Sequence, residues 1–588
     1  MDRVVKGAVL ALALAGAVLS GCGGGNDSAA GGEKSQGAGA PVEGKPGGKL
    51  TVLWTDDVDN IDCGVSYYQM GYMVCYATQR PLYSWKPEDG QTPVPDLATA
   101  DPQVSADGKT VTVKIRDGVK FSPPVDREVT SKDVKYAIER GFYNTVQNGY
   151  AGAYFGDIIG AKIGAKPGTE IPGIQTPDDQ TIVFKLNRGT GGVLAGALAL
   201  PLSAPVPPEY AAKLDAKQPS AYGPNQVATG PYMIANNASG KAVGYEAGKS
   251  IRLVRNPNWA KSTDYKPAYV DEIDMPQGND DTTIASRRVV DGSDMLTGDF
   301  SPPPAVLAQV VRDAAKKDQL ALFPGGSTRY VNMNSSVKPF DDINVRKAVV
   351  AGFDRNAMRL VRGGELVGDI PTHMIPPGLP GFEEAGGLKG PGLDFMSHPD
   401  GDMALAAEYL KKAGYPSGKY TGNNELLMIG TSEGVAQKAA EVAKENFEKL
   451  GFKVRLRLVT QDAMYTRFCN SPPANVAICP NVSWGKDFAD AQTILDPTFN
   501  GKNIVQQGNS NWPELNDPKI NAAMDKAETI TDPQERAEAW GKIDLMVTEQ
   551  APLVAWIWDK QALLRSADTN GAVSEFNSMW DLSWTSLK

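Results

Sequence analysis

Glu425-Leu-Leu-Met-Ile-Gly430 is a short apolar run. After it, Val435, Ala439, Val442, Ala443, Phe447 and Leu450 fall on one face of a helix, and Phe452, Val454, Leu456 and Leu458 then alternate. A stretch of period 3.6 lies between two of strand type, so the order is strand, helix, strand. A helical connection of this length returns the chain to the same edge of the sheet, which makes the two strands parallel and the unit βαβ. The fold class this sets is α/β.

Downstream lies Asn481-Val-Ser-Trp-Gly-Lys-Asp-Phe-Ala-Asp490, preceded by Cys479-Pro480. Proline there interrupts any helix or central strand. The stretch combines a large aromatic, Trp484, an adaptable Gly485 and two carboxylates, Asp487 and Asp490. Such a loop suits a ligand with an amine at one end and an apolar body. The competing reading is a solvated loop in which Trp484 anchors the core and Asp487 caps a helix from Phe488 to Leu495.

Upstream, Lys49 to Trp54 alternates and reads as the first strand of the body. Asp56, Asp57, Asp59 and Asp62 follow with spacing that does not fit a calcium loop. The run Tyr67 to Tyr83 reads as a helix on the core whose tyrosines could instead line a cleft. Val104 to Ile115 is a hairpin turning at Asp107-Gly108, and Ile174 to Leu186 repeats that shape. Thr130 caps a helix running to Arg140, with Gly141 as its stop. Pro201 to Pro208 reads as the exit of this α+β unit.

Thr229 to Tyr232 and Ile251 to Arg255 read as antiparallel strands, and Asp281 to Val290 as a helix with Ile284 and Val289 for packing. Tyr330 to Asn334 is a strand. Asp342, Asp354, Asp517 and Asp532 cap helices, the last two with proline at the first helical position. Asp402 to Ala413 is helical with Gly414 as its stop, and apolar Leu553 to Trp558 is expected to return to the first sheet.

At the N-terminus, Arg3 and Lys6 precede an apolar run, Ala8 to Leu19, too short to span a bilayer. Residues 1–21 read as a signal peptide. Leu19-Ser20-Gly21-Cys22 resembles a bacterial lipobox, which implies cleavage before Cys22 and a lipid on its thiol; a plain secretory leader with an incidental cysteine is the alternative. Residues 22–48 are rich in Gly, Ala, Ser, Lys and Pro and read as a flexible tether. The expected address is extracytoplasmic, lipid-anchored to the bacterial cell membrane. A net charge of −10 points away from nucleic acid, which calls for a basic patch.

Besides Cys22, the cysteines form two close pairs, Cys63 with Cys75 and Cys469 with Cys479, expected as disulfides in an oxidising compartment. Metal binding competes, but the spacings are not those of a zinc site. His373 and His398 lie among Pro and Gly and read as surface-loop residues. No Ser-His-Asp or Cys-His arrangement is evident, so neither an enzyme nor a cofactor or metal is expected.

Several stretches carry a family pattern in order: Ile115-Arg-Asp-Gly-Val-Lys-Phe121, Thr130-Ser-Lys-Asp-Val134, Thr229-Gly-Pro-Tyr232 and Arg255-Asn-Pro257. Then come Asn334, Asp342 to Ala348, Phe353-Asp-Arg355, Ala406 to Gly414 and the Trp484 loop. Together they resemble extracellular solute-binding protein family 5 of ABC importers, the family of the oligopeptide- and dipeptide-binding proteins. The resemblance covers the body after residue 48. The chain departs from it at Ser122 to Glu128, where Pro123-Pro124 replaces an Asp-Gly turn.

The resemblance implies a two-lobed periplasmic-binding-protein-like α/β fold (type II, family 5) with an inserted α+β domain. Domain I is then 49–88, 221–327 and 556–588, domain II is 89–220 and domain III is 328–555. Two crossovers form a hinge, and closure buries the ligand. In peptide-binding relatives an aspartate three residues after the loop tryptophan binds the ligand's α-amino group, which assigns that role to Asp487, with Trp484 as an apolar wall and Gly485 leaving backbone open. The implied partners are a peptide ligand, an ABC permease and its ATPase subunits, with the protein a monomer. The alternatives are the same fold binding an oligosaccharide or a metal chelate, or a secreted glycosidase using paired carboxylates.

Overall fold

The computed structural model describes residues 36–588, apart from 38, 238, 240, 433 and 507. The signal peptide, Cys22 and the start of the glycine-rich stretch lie outside the described residues. Three sheets organise the chain. The largest has seven strands, in the order Gly368–Asp369, Leu553–Leu564, Leu320–Met333, Ile478–Gly485, Glu425–Thr431, Lys453–Val459, with Gln36–Gly37 beside Leu320–Met333. Glu425–Thr431 and Lys453–Val459 pair in parallel along their whole length, as the alternating pattern requires. The helix between them, Gly434–Lys449, buries Ala439, Ala443 and Phe447 against the sheet.

Lys49–Leu53 lies inside a six-stranded sheet between parallel neighbours Glu272–Pro276 and Met295–Thr297. Tyr232–Ile234 pairs antiparallel with Ser250–Arg255 in the same sheet. A four-stranded antiparallel sheet is made by the two hairpins, with Thr110–Lys114 against Thr181–Lys185 at its centre. Val111, Val113 and Ile115 are buried together there. Its turn residue Gly108 has φ +64°, the left-handed region that the Asp-Gly pair supplies cheaply. The six- and four-stranded sheets form one lobe and the seven-stranded sheet the other.

Helix caps follow the sequence closely. Asp342, Asp354, Asp402, Asp517 and Asp532 each accept a backbone N–H in the first turn of their helices. Thr130 and Asp133 form a reciprocal capping box on Ser131–Gly141. Gly141 is the last residue of that helix rather than its stop, and Leu202 packs where a side chain on it would be. The Pro201–Pro208 stretch is not an exit, since the helix Pro208–Asp215 still packs on Tyr136 and Tyr143.

Four further expectations are corrected. Leu553–Leu564 belongs to the seven-stranded sheet and not to the one containing Lys49–Leu53. Ile284 is 64% exposed, while Val289 on the same helix is buried. His373 is buried with its ring against Phe382 and Trp558, and Nδ1 lies 2.9 Å from Asp544 Oδ2. Asp544 also accepts the N–H groups of Met374 and Ile375, so a carboxylate from a distant helix makes this Pro/Gly-rich segment part of the core.

The fourth concerns the tether. Residues 39–48 lie along the body: Gly39 accepts Val573 N–H at 2.8 Å, Gly47 donates to Tyr269 O at 2.9 Å, and Lys45 bridges to Leu587. A Cβ on Gly39 would stand 2.6 Å from the Phe323 ring. The glycine there serves close approach of backbone to body, not freedom.

Both cysteine pairs are bonded, with Cα–Cα separations of 5.6 Å for Cys63–Cys75 and 6.3 Å for Cys469–Cys479. Among the described residues no helix is long and apolar enough to cross a membrane.

Two strands pass from lobe to lobe. Leu320–Pro324 pairs with Lys560–Leu564, and Thr328–Asn332 with Leu553–Trp558; the register breaks between Pro324 and Thr328 and shifts again between Arg329 and Tyr330. Gly325, Gly326 and Ser327 fill the break. Gly326 has φ +53°, and a Cβ on Gly325 would stand 2.6 Å from Asp559 O. At the far end Leu564 N–H donates to Thr297 Oγ1 at 2.9 Å, tying the pair to the six-stranded sheet.

Candidate functional site

Cys479-Pro480 does not interrupt a central strand as expected: the strand Ile478–Gly485 runs through it beside Leu320–Met333, with a register shift where Pro480 and Asn481 lie, and carries Trp484 up to Gly485, opposite Ser327. Cys479 near its start is held by the second disulfide. Trp484 is fixed at its polar edge, the indole N–H donating to Thr493 O at 2.8 Å. Past Gly485 the chain leaves the sheet and enters the other lobe. Lys486 Nζ donates to Gly90 O at 3.0 Å, and burial pushes its ammonium down to about 8 against the opposing pull of Glu575 and Asp89. Phe488 packs edge-on against Tyr154 at 5.3 Å, inside the core of the four-stranded sheet.

Asp487 is buried between these two residues. Tyr67 Oη donates to its Oδ2 at 2.9 Å, and Tyr154 Oη donates to the same oxygen. Among the described residues Oδ1 accepts no hydrogen bond. Burial pushes the Asp487 carboxyl up to about 7, although both hydroxyls favour the charged form. Burial, with Asp487 alongside, pushes both phenols well above their usual range, so each stays protonated and donates.

Local sequence sets both tyrosines. Asp59 Oδ2 accepts Tyr67 N–H at 2.6 Å and its Oδ1 accepts Ser66 Oγ at 2.8 Å, which fixes the turn into the helix Gln69–Thr78. Cys63–Cys75 ties that turn to the helix. The neighbouring aspartates are spent structurally: Asp57 accepts Tyr245 Oη at 2.9 Å, and Asp62 pairs with Arg140 at 2.7 Å. Tyr154 sits on the short helix Ala151–Phe155, whose first N–H groups are met by Asn148 Oδ1. Tyr67 also meets Trp484 edge-on at 6.2 Å, and Tyr68 meets Tyr465 at 5.8 Å. The Tyr67–Tyr83 run therefore does both things weighed for it, a packed helix and a wall facing the loop.

Of the residues expected at the site, Trp484, Gly485 and Asp487 are together. Asp490 is apart: its Oδ1 accepts Gln492 N–H at 2.8 Å at the start of Gln492–Phe499, and its Oδ2 meets Arg536 at 2.6 Å. Asp487 does not make the helix cap weighed for it; the N-cap is Ala491, and Asp490 just before it accepts the first helical N–H. Tyr154 and Lys486 were missed; nothing local to residue 154 connects it to a loop 333 residues away.

Residues 92–506 match the family model described as Bacterial extracellular solute-binding proteins, family 5 Middle. The chain belongs to the bacterial extracellular solute-binding proteins, family 5, a family of binding proteins and not of enzymes. Heme-binding protein A of Haemophilus influenzae is 24% identical over 484 residues, 80% of this chain and 79% of that protein. Di/tripeptide-binding protein 1 of Pseudomonas aeruginosa is 27% identical over 469 residues, 76% and 78% of the two chains. Among solved structures, clavulanic acid biosynthesis oligopeptide binding protein 2 superposes with a TM-score of 0.78 at 25% identity, covering 94% of this chain and 99% of that one. The two-lobed α/β fold is shared with that solved structure.

Proposed function

We propose that this chain is the substrate-binding component of an ABC importer, anchored through a lipid on Cys22 outside the cell membrane. It captures peptides between its lobes as a monomer and delivers them to a permease driven by ATPase subunits. Domain I is taken as 49–88, 221–327 and 556–588, with domain II at 89–220 and domain III at 328–555. The observation that carries the reading is Asp487: a buried carboxylate from one lobe, capped on Oδ2 by two tyrosines of the other, with Oδ1 left for a ligand donor. A buried ammonium needs such a partner, because desolvating it alone costs several kcal/mol. The peptides named in the Pseudomonas relative and in the clavulanic acid protein support the class.

The test is calorimetry of the soluble body and its Asp487→Asn variant with tetraalanine and N-acetyl-tetraalanine. Wild type binds the free peptide and discriminates against the acetylated one. The variant loses ~30- to several-thousand-fold in affinity for the free peptide and most of the discrimination. An unchanged ratio overturns the role of Asp487. A second reading, a metal chelate, is favoured by the heme in the name of the Haemophilus relative, and hemin titrated into the same cell decides between them.

A further inference from the structure

Away from the carboxylate and its tyrosines, a second set of charges joins the two lobes. Arg188 follows the strand Thr181–Lys185 of the four-stranded sheet. Its Nε lies 3.0 Å from Asp157 Oδ1 and its Nη2 2.8 Å from Asp157 Oδ2. The same Nη2 reaches Glu528 Oε2 at 2.6 Å, and Nη1 reaches Asp525 O at 3.4 Å. Asp525 and Glu528 end the helix Pro518–Ala527 of the opposite lobe. Glu528, 3% exposed in its side chain, is shared with Lys502 at 2.9 Å, and Lys502 also meets Asp496 at 3.2 Å. Asp157 stands three residues past Tyr154, the residue that caps Asp487.

We infer that Arg188 is a positioning residue for the ligand site, clamping the Tyr154 segment onto the opposite lobe and so setting how long a ligand stays enclosed. The reading of Asp487 as the ligand's carboxylate underlies the second half of that statement. The electrostatics favour a clamp over a decorative surface pair. Opening the lobes takes the guanidinium from Glu528, which then keeps Lys502 as its cation while Asp496 competes for the same ammonium. Burial and Asp496 both push the Glu528 carboxyl up, and Lys502 and Arg188 oppose them. A desolvated carboxylate that loses one of two cations costs far more than a solvated one. Asp157 meanwhile keeps Arg188 pre-oriented by a two-toothed contact that does not depend on closure, with Thr190 Oγ1 donating to the same carboxylate at 2.9 Å.

The experiment compares wild type with Arg188→Ala, Arg188→Lys, Glu528→Gln and the Ala/Gln double variant of the soluble body. Stopped-flow dissociation of tetraalanine and small-angle scattering, with and without tetraalanine, are the readouts. Arg188→Ala and Glu528→Gln should each release the peptide ~10- to 100-fold faster with little change in association, since interface changes act mainly on dissociation. Both should have a larger radius of gyration. The double variant should be no worse than the worse single, because both remove one bridge. Arg188→Lys should recover part of the loss, keeping charge but not the fork. Wild-type release rates and radii, or additive losses, overturn the clamp. If one single variant does not fold, the other reads the same bridge from the opposite side. If tetraalanine binds to none of the proteins, the ligand reading has failed, and the radii of the unliganded variants still decide the bridge: larger supports it, equal overturns it.

Discussion

Tyr67 Oη stands 2.9 Å from Asp487 Oδ2, although 420 residues of chain separate them. The hydroxyl comes from the turn that opens the Gln69–Thr78 helix in one lobe, the carboxylate from the end of a strand in the other. Because Tyr154 donates to the same oxygen, the carboxylate is held in one orientation and its second oxygen faces away from both phenols.

Removing either hydroxyl leaves a buried carboxylate with fewer donors. Tyr67→Phe should cost about 1.5–3 kcal/mol of stability at pH 8, the range for a hydrogen bond to a charged group. At pH 5, where Asp487 is largely protonated, the loss should shrink. Urea denaturation at the two pH values reads this; an equal loss at both would mean that the phenol contributes packing alone.

Asp487 also predicts the pH dependence of the unliganded protein. Its carboxyl is raised to about 7 in the fold, against 3.8 unperturbed, so between these values the native state binds more protons than the unfolded chain. Stability from this group is complete below the lower value and is lost as pH rises through the upper. Asp59 is raised to about 6 in the same direction, so the comparison must be with Asp487→Asn. Subtracting the two stability curves should give a difference that moves in favour of the variant from about pH 4 to 7 and then levels, by on the order of a few kcal/mol. A flat difference would contradict it.

The two disulfides brace the two sides of the site. Cys469–Cys479 holds the start of the strand that ends at Gly485, and Cys63–Cys75 encloses Tyr67 and Tyr68. Replacing either pair with serine should cost ~3 kcal/mol by the chain-entropy argument and weaken peptide binding as well. Non-reducing peptide mapping should recover these two links; crossed links would refute the assignment.

Cys22→Ser addresses the anchor. The variant should accumulate unprocessed or be released from the membrane fraction. Fractionation and migration identical to wild type would remove the lipid from the proposal.

Much of the architecture was legible because it is written in local rules. Alternation and 3.6-residue periodicity marked out Glu425 to Val459, and Asp342, Asp354, Asp517 and Asp532 announced their helices through a spacing that satisfies the first free N–H groups. What was not legible depends on partners distant in sequence. His373 looks like a loop residue until Asp544 is placed beside it, and Gly39 looks like tether until Phe323 lies beneath it. The site divides the same way. Asp487 was legible through its spacing from Trp484 in a resembling family, whereas Tyr154 carries no mark of its destination. Of the two nearby carboxylates, Asp490 stands two residues before Gln492 and accepts its N–H, while Asp487, five before it, is out of reach.

The two lobe-to-lobe strands share a register break between Pro324 and Thr328. The ribbon is unpaired from Gly325 to Ser327 and shifts register again after Arg329, so it bends most easily in that short stretch. The closure proposed above would concentrate its rotation there, where few ladder bonds have to break. In the proposed cycle a permease would then read chiefly one angle, whatever the sequence of the peptide enclosed.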